Sequence, residues 1–142
     1  MINFLKKKAK NITNDNKFYY NIAALLIHAA KIDENYEEVE KDIIKKTLIE
    51  LGADSSDIDI LISNAETIEE NSNQILNFTK EVKDAPLSDK IKIVESLWKI
   101  IYSNSDADIY ETNLMRRLAG LLYIDSKTMG NIKEKAKREL KK

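Results

Sequence analysis

The sequence predicts an all-α protein, a closed bundle of seven or eight helices built around an internal pseudo-twofold repeat. Three observations predict it. Apolar residues recur three and four positions apart along nearly the whole chain, which is the helical period. Three Gly and one Pro in 142 residues leave little material for the turns that many short strands need. The chain also matches itself when shifted by 71 residues, the mark of a duplicated unit.

The elements follow in order. The stretch "NFLKKKAK" gives a short N-terminal helix within residues 1–13, and "NDN" at 14–16 breaks it and caps the next. In "KFYYNIAALLIHAAK", Phe18, Ile22, Leu25, Leu26 and Ala29 line one face while the other faces are also apolar, which predicts a central, well-buried helix. "EEVEKDIIKKTLIELG" carries Val39, Ile43, Ile44, Leu48 and Leu51 at helical spacing, and Gly52 is a natural stop. "ADSSD" caps a helix with Ile58, Leu61, Ile62 and Ala65. "EENS" is expected to open a short helix with Ile75, Phe78 and Val82, before a boundary at Pro86 and Ser88. "DKIKIVESLWKIIY" repeats apolar positions at Ile91, Val94, Leu97, Trp98 and Ile101, with Trp98 as a core anchor. "IYETNLMRRLAGLL" does so at Leu114, Met115, Leu118 and Leu122, and a last helix at Met129, Ile132, Ala136 and Leu140.

The repeat organises these elements. Under the 71-residue shift Leu26 falls on Leu97, Asp33 on Asn104, Asn35 on Asp106, Glu37 on Asp108 and Glu40 on Glu111. Ile43 and Ile44 meet Leu114 and Met115, Lys45 and Lys46 meet Arg116 and Arg117, and Asp54 and Ser55 meet Asp125 and Ser126. The unit is helix, acidic loop, helix, capped turn, helix. Residues 1–142 are read as one domain, with repeat one at about 20–66 and repeat two at about 90–137. Two such units are too few for an extended solenoid, so a closed bundle is the expectation.

Composition narrows the class. The chain has no cysteine, which removes disulfides, thiolate metal sites and Cys nucleophiles together. No apolar run approaches the roughly 18 residues of a membrane span. "MINFLKKKAK" lacks the long apolar region and small-residue cleavage site of a signal peptide. The expectation is a cytoplasmic protein, at most peripheral to the inner membrane through Lys6, Lys7, Lys8 and Lys10. The basic C-terminal stretch suits a helix terminus and comes with no groove-reading motif, so nucleic acid is not an expected partner. No nucleophile–base pair, phosphate-cradling Gly loop or dinucleotide fingerprint occurs, and the protein is read as not an enzyme.

"KIDENYEEVEKD" places six carboxylates within twelve residues. Hard cations take several oxygen ligands at close range, so Asp33, Asn35, Glu37 and Glu40 form a candidate divalent-cation site for calcium, magnesium, zinc or manganese. Asn104, Asp106, Asp108 and Glu111 form a weaker second one. Neither loop is an EF-hand: counted from Asp33 or from Asn104, position six is Glu38 or Ile109 instead of Gly, and position twelve is Ile44 or Met115 instead of Glu. A second reading competes. Glu37 with Glu40, and Asp108 with Glu111, have the spacing of an N-cap and its partner three residues on, which needs no metal. The lone histidine, His28, is expected to be a half-buried helix residue bonded to a backbone carbonyl. Lys45, Lys46, Arg116 and Arg117 are expected to pair with nearby carboxylates.

"AALLIHAAKIDENYEEVE" together with "LWKIIYSNSDADIYETNLMRRLAGLLYI" resembles the tellurite-resistance TerB-like family, over roughly residues 20 to 133. A related domain forms the N-terminal part of DjlA-type co-chaperones. The resemblance implies an all-helical fold, a link to tellurite resistance or membrane stress, no enzymatic activity, and action through a protein partner or a homodimer. It also implies cation binding at a repeated Ala-Asp-Gly-x-x-x-x-x-Glu signature. The signature's Asp and Glu fall on Asp33 and Glu40 in the first repeat and on Asn104 and Glu111 in the second. Its Gly is replaced by Glu34 and Ser105, and Asn104 carries one charge fewer, so the first loop is the better candidate.

Overall fold

The structure, a computed structural model, describes residues 15–32, 36–72, 76–103 and 109–140. Among these residues the chain forms seven α-helices, one short 3₁₀ turn and no strand. The helices are α1 (Asp15–Lys31), α2 (Glu38–Glu50), α3 (Ile58–Glu70), α4 (Leu76–Val82), α5 (Leu87–Tyr102), α6 (Ile109–Leu121) and α7 (Ser126–Leu140). The expected N-terminal helix lies outside the described residues. No helix among them is long and apolar enough to cross a membrane.

The centre is α1. Ile22 to Ile27 are six consecutive residues without exposure, so the helix is buried on every face, as its lack of a polar side predicts. It packs against α2, α3, α4 and α5, while α5 packs in turn against α2 and α7. Leu25, Leu26, Ile44, Phe78, Leu97, Ile101 and Leu118 belong to one continuous core drawn from both halves of the chain.

The helix ends explain why the chain turns where it does. Before α2 the amide of Glu37 donates to Glu40 Oε1 at 3.0 Å, the return arm of a capping box. After α2 the amides of Gly52 and Ala53 donate to the carbonyls of Ile49 and Leu48 at 3.0 and 2.9 Å, a Schellman ending with Gly52 at φ 116°. Asp54 Oδ1 then accepts from the Ser56 amide at 3.0 Å and caps the 3₁₀ turn Ser55–Asp57. The same ending closes α6. The amides of Tyr123 and Ile124 donate to the carbonyls of Gly120 and Ala119 at 3.3 and 2.9 Å. Asp125 Oδ1 then accepts from the Thr128 amide at 2.7 Å and opens α7. Both ends of α6 lie 71 residues after the corresponding ends of α2.

Two expectations are corrected. "EENS" does not open a helix: Glu69 and Glu70 close α3, where Glu69 is buried against Lys31 and His28 of α1. Val39, expected in the core, is 52% exposed, and Ile43 is only half-buried. The buried side of α2 is Glu40, Ile44, Thr47 and Leu48. It is turned by one position because the capping carboxylate of Glu40 occupies the inside.

Candidate functional site

The helix start at α2 carries the part of the first acidic loop that the structure describes. Asp33 and Asn35 lie outside the described residues, as do Asn104, Asp106 and Asp108 of the second loop. Glu37 is exposed at the entry to α2. Glu40 is fully buried, and Glu111, its counterpart on α6, is buried as well.

One oxygen of Glu40 is used for capping, which confirms the competing reading of that residue. The other, Oε2, is buried with no hydrogen-bond partner. The Tyr36 hydroxyl nearby is buried in the same condition. Burial first, and then the Glu66, Glu38 and Glu40 carboxylates, push the Tyr36 phenol far above its usual range. Glu66 is close enough to act on that phenol, but the approach lacks hydrogen-bond geometry. Lys41 completes the group, 3.3 Å from Glu66 Oε2 and 5.1 Å from the centre of the Tyr36 ring. An orphaned buried carboxylate oxygen is an uncommon and costly feature. It suits a hard cation as one ligand. The described residues supply no cluster of three or more Asp, Glu or His side chains placed to hold a metal.

A second charged cluster ties α1 to α3. Glu69 Oε1 accepts from Lys31 Nζ at 2.8 Å, and Glu69 Oε2 lies 3.2 Å from His28 Nδ1. His28 therefore meets a carboxylate, not the expected backbone carbonyl. Of the basic residues after the acidic loops, Lys45 reaches Asp59 at 3.1 Å, whereas Lys46, Arg116 and Arg117 have no carboxylate partner among the described residues. Trp98 is in the core as expected, stacked on Tyr102 with ring centres 5.8 Å apart. Lys133 and Lys137 of α7 lie 5.3 and 5.4 Å above those two rings.

Sequence reasoning missed Tyr123. It follows α6 with φ 57°, the only positive φ of a non-glycine among the described residues, and it is 74% exposed. Lys90 Nζ donates to the Leu122 carbonyl at 2.9 Å and lies 5.7 Å from the Tyr123 ring centre. Leu87, one turn before Lys90, is 58% exposed. After α2 the same place is held by Gly52, and the Tyr19 hydroxyl donates to the Leu51 carbonyl at 3.3 Å. The signal was available: a shift of 71 residues sets Tyr123 on Gly52 and Lys90 on Tyr19.

Helical order, paired Schellman endings and buried carboxylates at the starts of α2 and α6 define a small all-α helical protein. The chain belongs to the TerB family: the family model described as tellurite resistance protein TerB matches residues 20–134. No curated protein matches the chain, and no solved structure does.

Proposed function

We propose that the chain is a non-enzymatic interaction domain that serves tellurite resistance or a membrane-stress response through a protein partner or a second copy of itself. Tyr123 carries this reading. A bulky residue in the left-handed region costs about 1–2 kcal/mol relative to Gly, and the other half of the chain uses Gly at the same place. The fold gains little in return, because most of the ring faces solvent. Exposed Tyr is a favoured anchor at protein interfaces, and Leu87, one turn before Lys90 on the same helix, is exposed as well. The family supports the link to tellurite resistance and is not known as an enzyme family.

The test compares wild type with Tyr123→Gly in sedimentation and in pull-down from native cytosol. The variant is expected to melt within a few degrees of wild type and to lose at least about tenfold in partner or self association. A monomeric wild type that repeatedly recovers nothing, or a variant that associates as well as wild type, overturns the reading.

A second reading is favoured by the orphaned Oε2 of Glu40. In it, Asp33, Asn35, Glu37 and Glu40 hold a divalent cation, with Asn104, Asp106, Asp108 and Glu111 as a weaker site. Glu40→Gln keeps an oxygen for the Glu37 amide and removes the charge. Calorimetry with calcium, magnesium, zinc and manganese is expected to show heat for wild type and a loss in the variant. A cation selective for the folded state also raises the melting temperature. No heat and no thermal shift at millimolar metal removes this reading.

A further inference from the structure

A groove of about 650 Å³ opens between α2 and α7, both of which pack on α5. Its floor is a buried pair of hydroxyls, Thr47 of α2 bonded to Ser96 of α5. Thr47 Oγ1 also lies 2.7 Å from the Ile43 carbonyl, to which it donates. A hydroxyl has one proton, so Ser96 is the donor in the pair. Both protons are then committed, and the floor offers lone pairs.

The fold does not require this floor. Under the 71-residue shift Thr47 falls on Leu118 and Ser96 on Leu25, and both leucines are fully buried. The neighbours change in the same sense. Glu95, which lines the groove, corresponds to buried Ala24, and Glu50 to half-buried Leu121. One half of the chain fills this position with aliphatic side chains. The other carries smaller or polar side chains there, and the groove opens beside them.

The walls are charged, and most of the charge is spent internally. Glu95 lies 3.5 Å from both Lys99 and Lys135, and Glu139 pairs with Lys99. Lys46 and Lys92, on facing helices, have no carboxylate partner among the described residues, and Glu50, one turn after Lys46, has no cationic one, so the free charge of the groove is net positive. Two unpaired ammonium groups above a floor of acceptors suit a ligand with a doubly charged anionic group and hydroxyl donors.

We propose that this groove binds a small phosphate monoester bearing free hydroxyl groups. Lys46 and Lys92 take the phosphate, and the Thr47–Ser96 pair accepts from a ligand hydroxyl. The test is an amide NMR titration of the full chain with glycerol 3-phosphate and ribose 5-phosphate, with inorganic phosphate as the comparison. Saturable shifts are expected on α2, α5 and α7 with at least one ester, tighter than for inorganic phosphate. The surface double variant Lys46→Gln, Lys92→Gln is expected to keep the fold and weaken binding at least about tenfold. Thr47→Leu with Ser96→Leu, the pair carried by the other half, is expected to fill the floor and abolish binding. No saturable shift with either ester, inorganic phosphate binding as tightly as the esters, or undiminished binding in the lysine variant overturns the proposal. Should the leucine variant fail to fold, the lysine variant still decides.

Discussion

Gly52 and Tyr123 occupy the same place in their helix endings, and their surroundings differ in a way that fixes the residue in one case and not in the other. A Cβ added at Gly52 would stand 2.8 Å from the Tyr19 hydroxyl, on a backbone already at φ 116°. Gly52→Ala is therefore expected to lower stability by about 1–3 kcal/mol. For a chain of this size that is a fall of about 2–4 °C in Tm per kcal/mol, read by thermal circular dichroism. At Tyr123 the hydroxyl is replaced by the flexible Lys90, which folds over the ring. Tyr123→Gly relieves about 1–2 kcal/mol of backbone strain but loses an exposed cation–π contact and frees the unfolded chain, each worth about 0.5–1 kcal/mol. The net is expected within about 1 kcal/mol of zero. Tyr36 gives a prediction of opposite kind. Its hydroxyl is buried without a partner, so Tyr36→Phe removes a desolvated polar group and no bond. The urea midpoint is expected to stay or to rise by up to about 1 kcal/mol in stability terms, and a fall beyond about 1 kcal/mol would show the hydroxyl satisfied in solution. At this scale the sequence was a partial guide. Gly52 was legible because a helix stop that needs a left-handed residue favours glycine. Tyr123 was legible only as the residue that the 71-residue shift sets on Gly52, its cost showing first in its backbone angle, and His28 was misassigned because its partner Glu69 is distant in sequence.

The elements were more legible than their orientations, and the caps show why. Helix ends depend on residues within one turn, so the Asp54 and Asp125 caps could be placed from local spacing. The rotation of α2 depended on a competition that spacing cannot resolve, between burying Val39 and burying the cap carboxylate of Glu40. The two aspartate caps also carry a pH prediction. The Ser56 amide and hydroxyl hold Asp54 below its ordinary value, and the Thr128 hydroxyl and amide do the same for Asp125. A carboxyl with a depressed folded pKa contributes stability that is complete above its unfolded value, near 3.8. That stability is lost as pH falls through the depressed folded value. Replacing both residues with Asn keeps a capping oxygen and removes the titration. The double variant is expected to show a shallower fall of its urea midpoint between about pH 5 and pH 2 than wild type. Parallel acid limbs in the two proteins would show that these caps do not drive the acid sensitivity.

At the scale of the molecule, the question is whether a chain built from two similar halves folds as two units or as one. A repeat array in which each unit touches only its neighbours melts in separable steps once its interfaces weaken. Here α1 from the first half lies against α5 from the second, and α2 also packs on α5. Neither half keeps a core of its own: Leu26 and Leu97, equivalent under the 71-residue shift, are both fully buried in the same continuous cluster. Removing either side chain therefore weakens the same structure. Leu26→Ala and Leu97→Ala are each expected to cost about 2–5 kcal/mol. Each is expected to lower one shared Tm on the order of 10 °C, with a single calorimetric transition whose van't Hoff and calorimetric enthalpies agree. The double variant should fall further along the same transition, because each substitution draws on one cooperative reserve. Two resolved transitions in either single variant, with only the mutated half melting early, would show that the halves are separate folding units and that the contacts of α1 and α2 with α5 do not couple them.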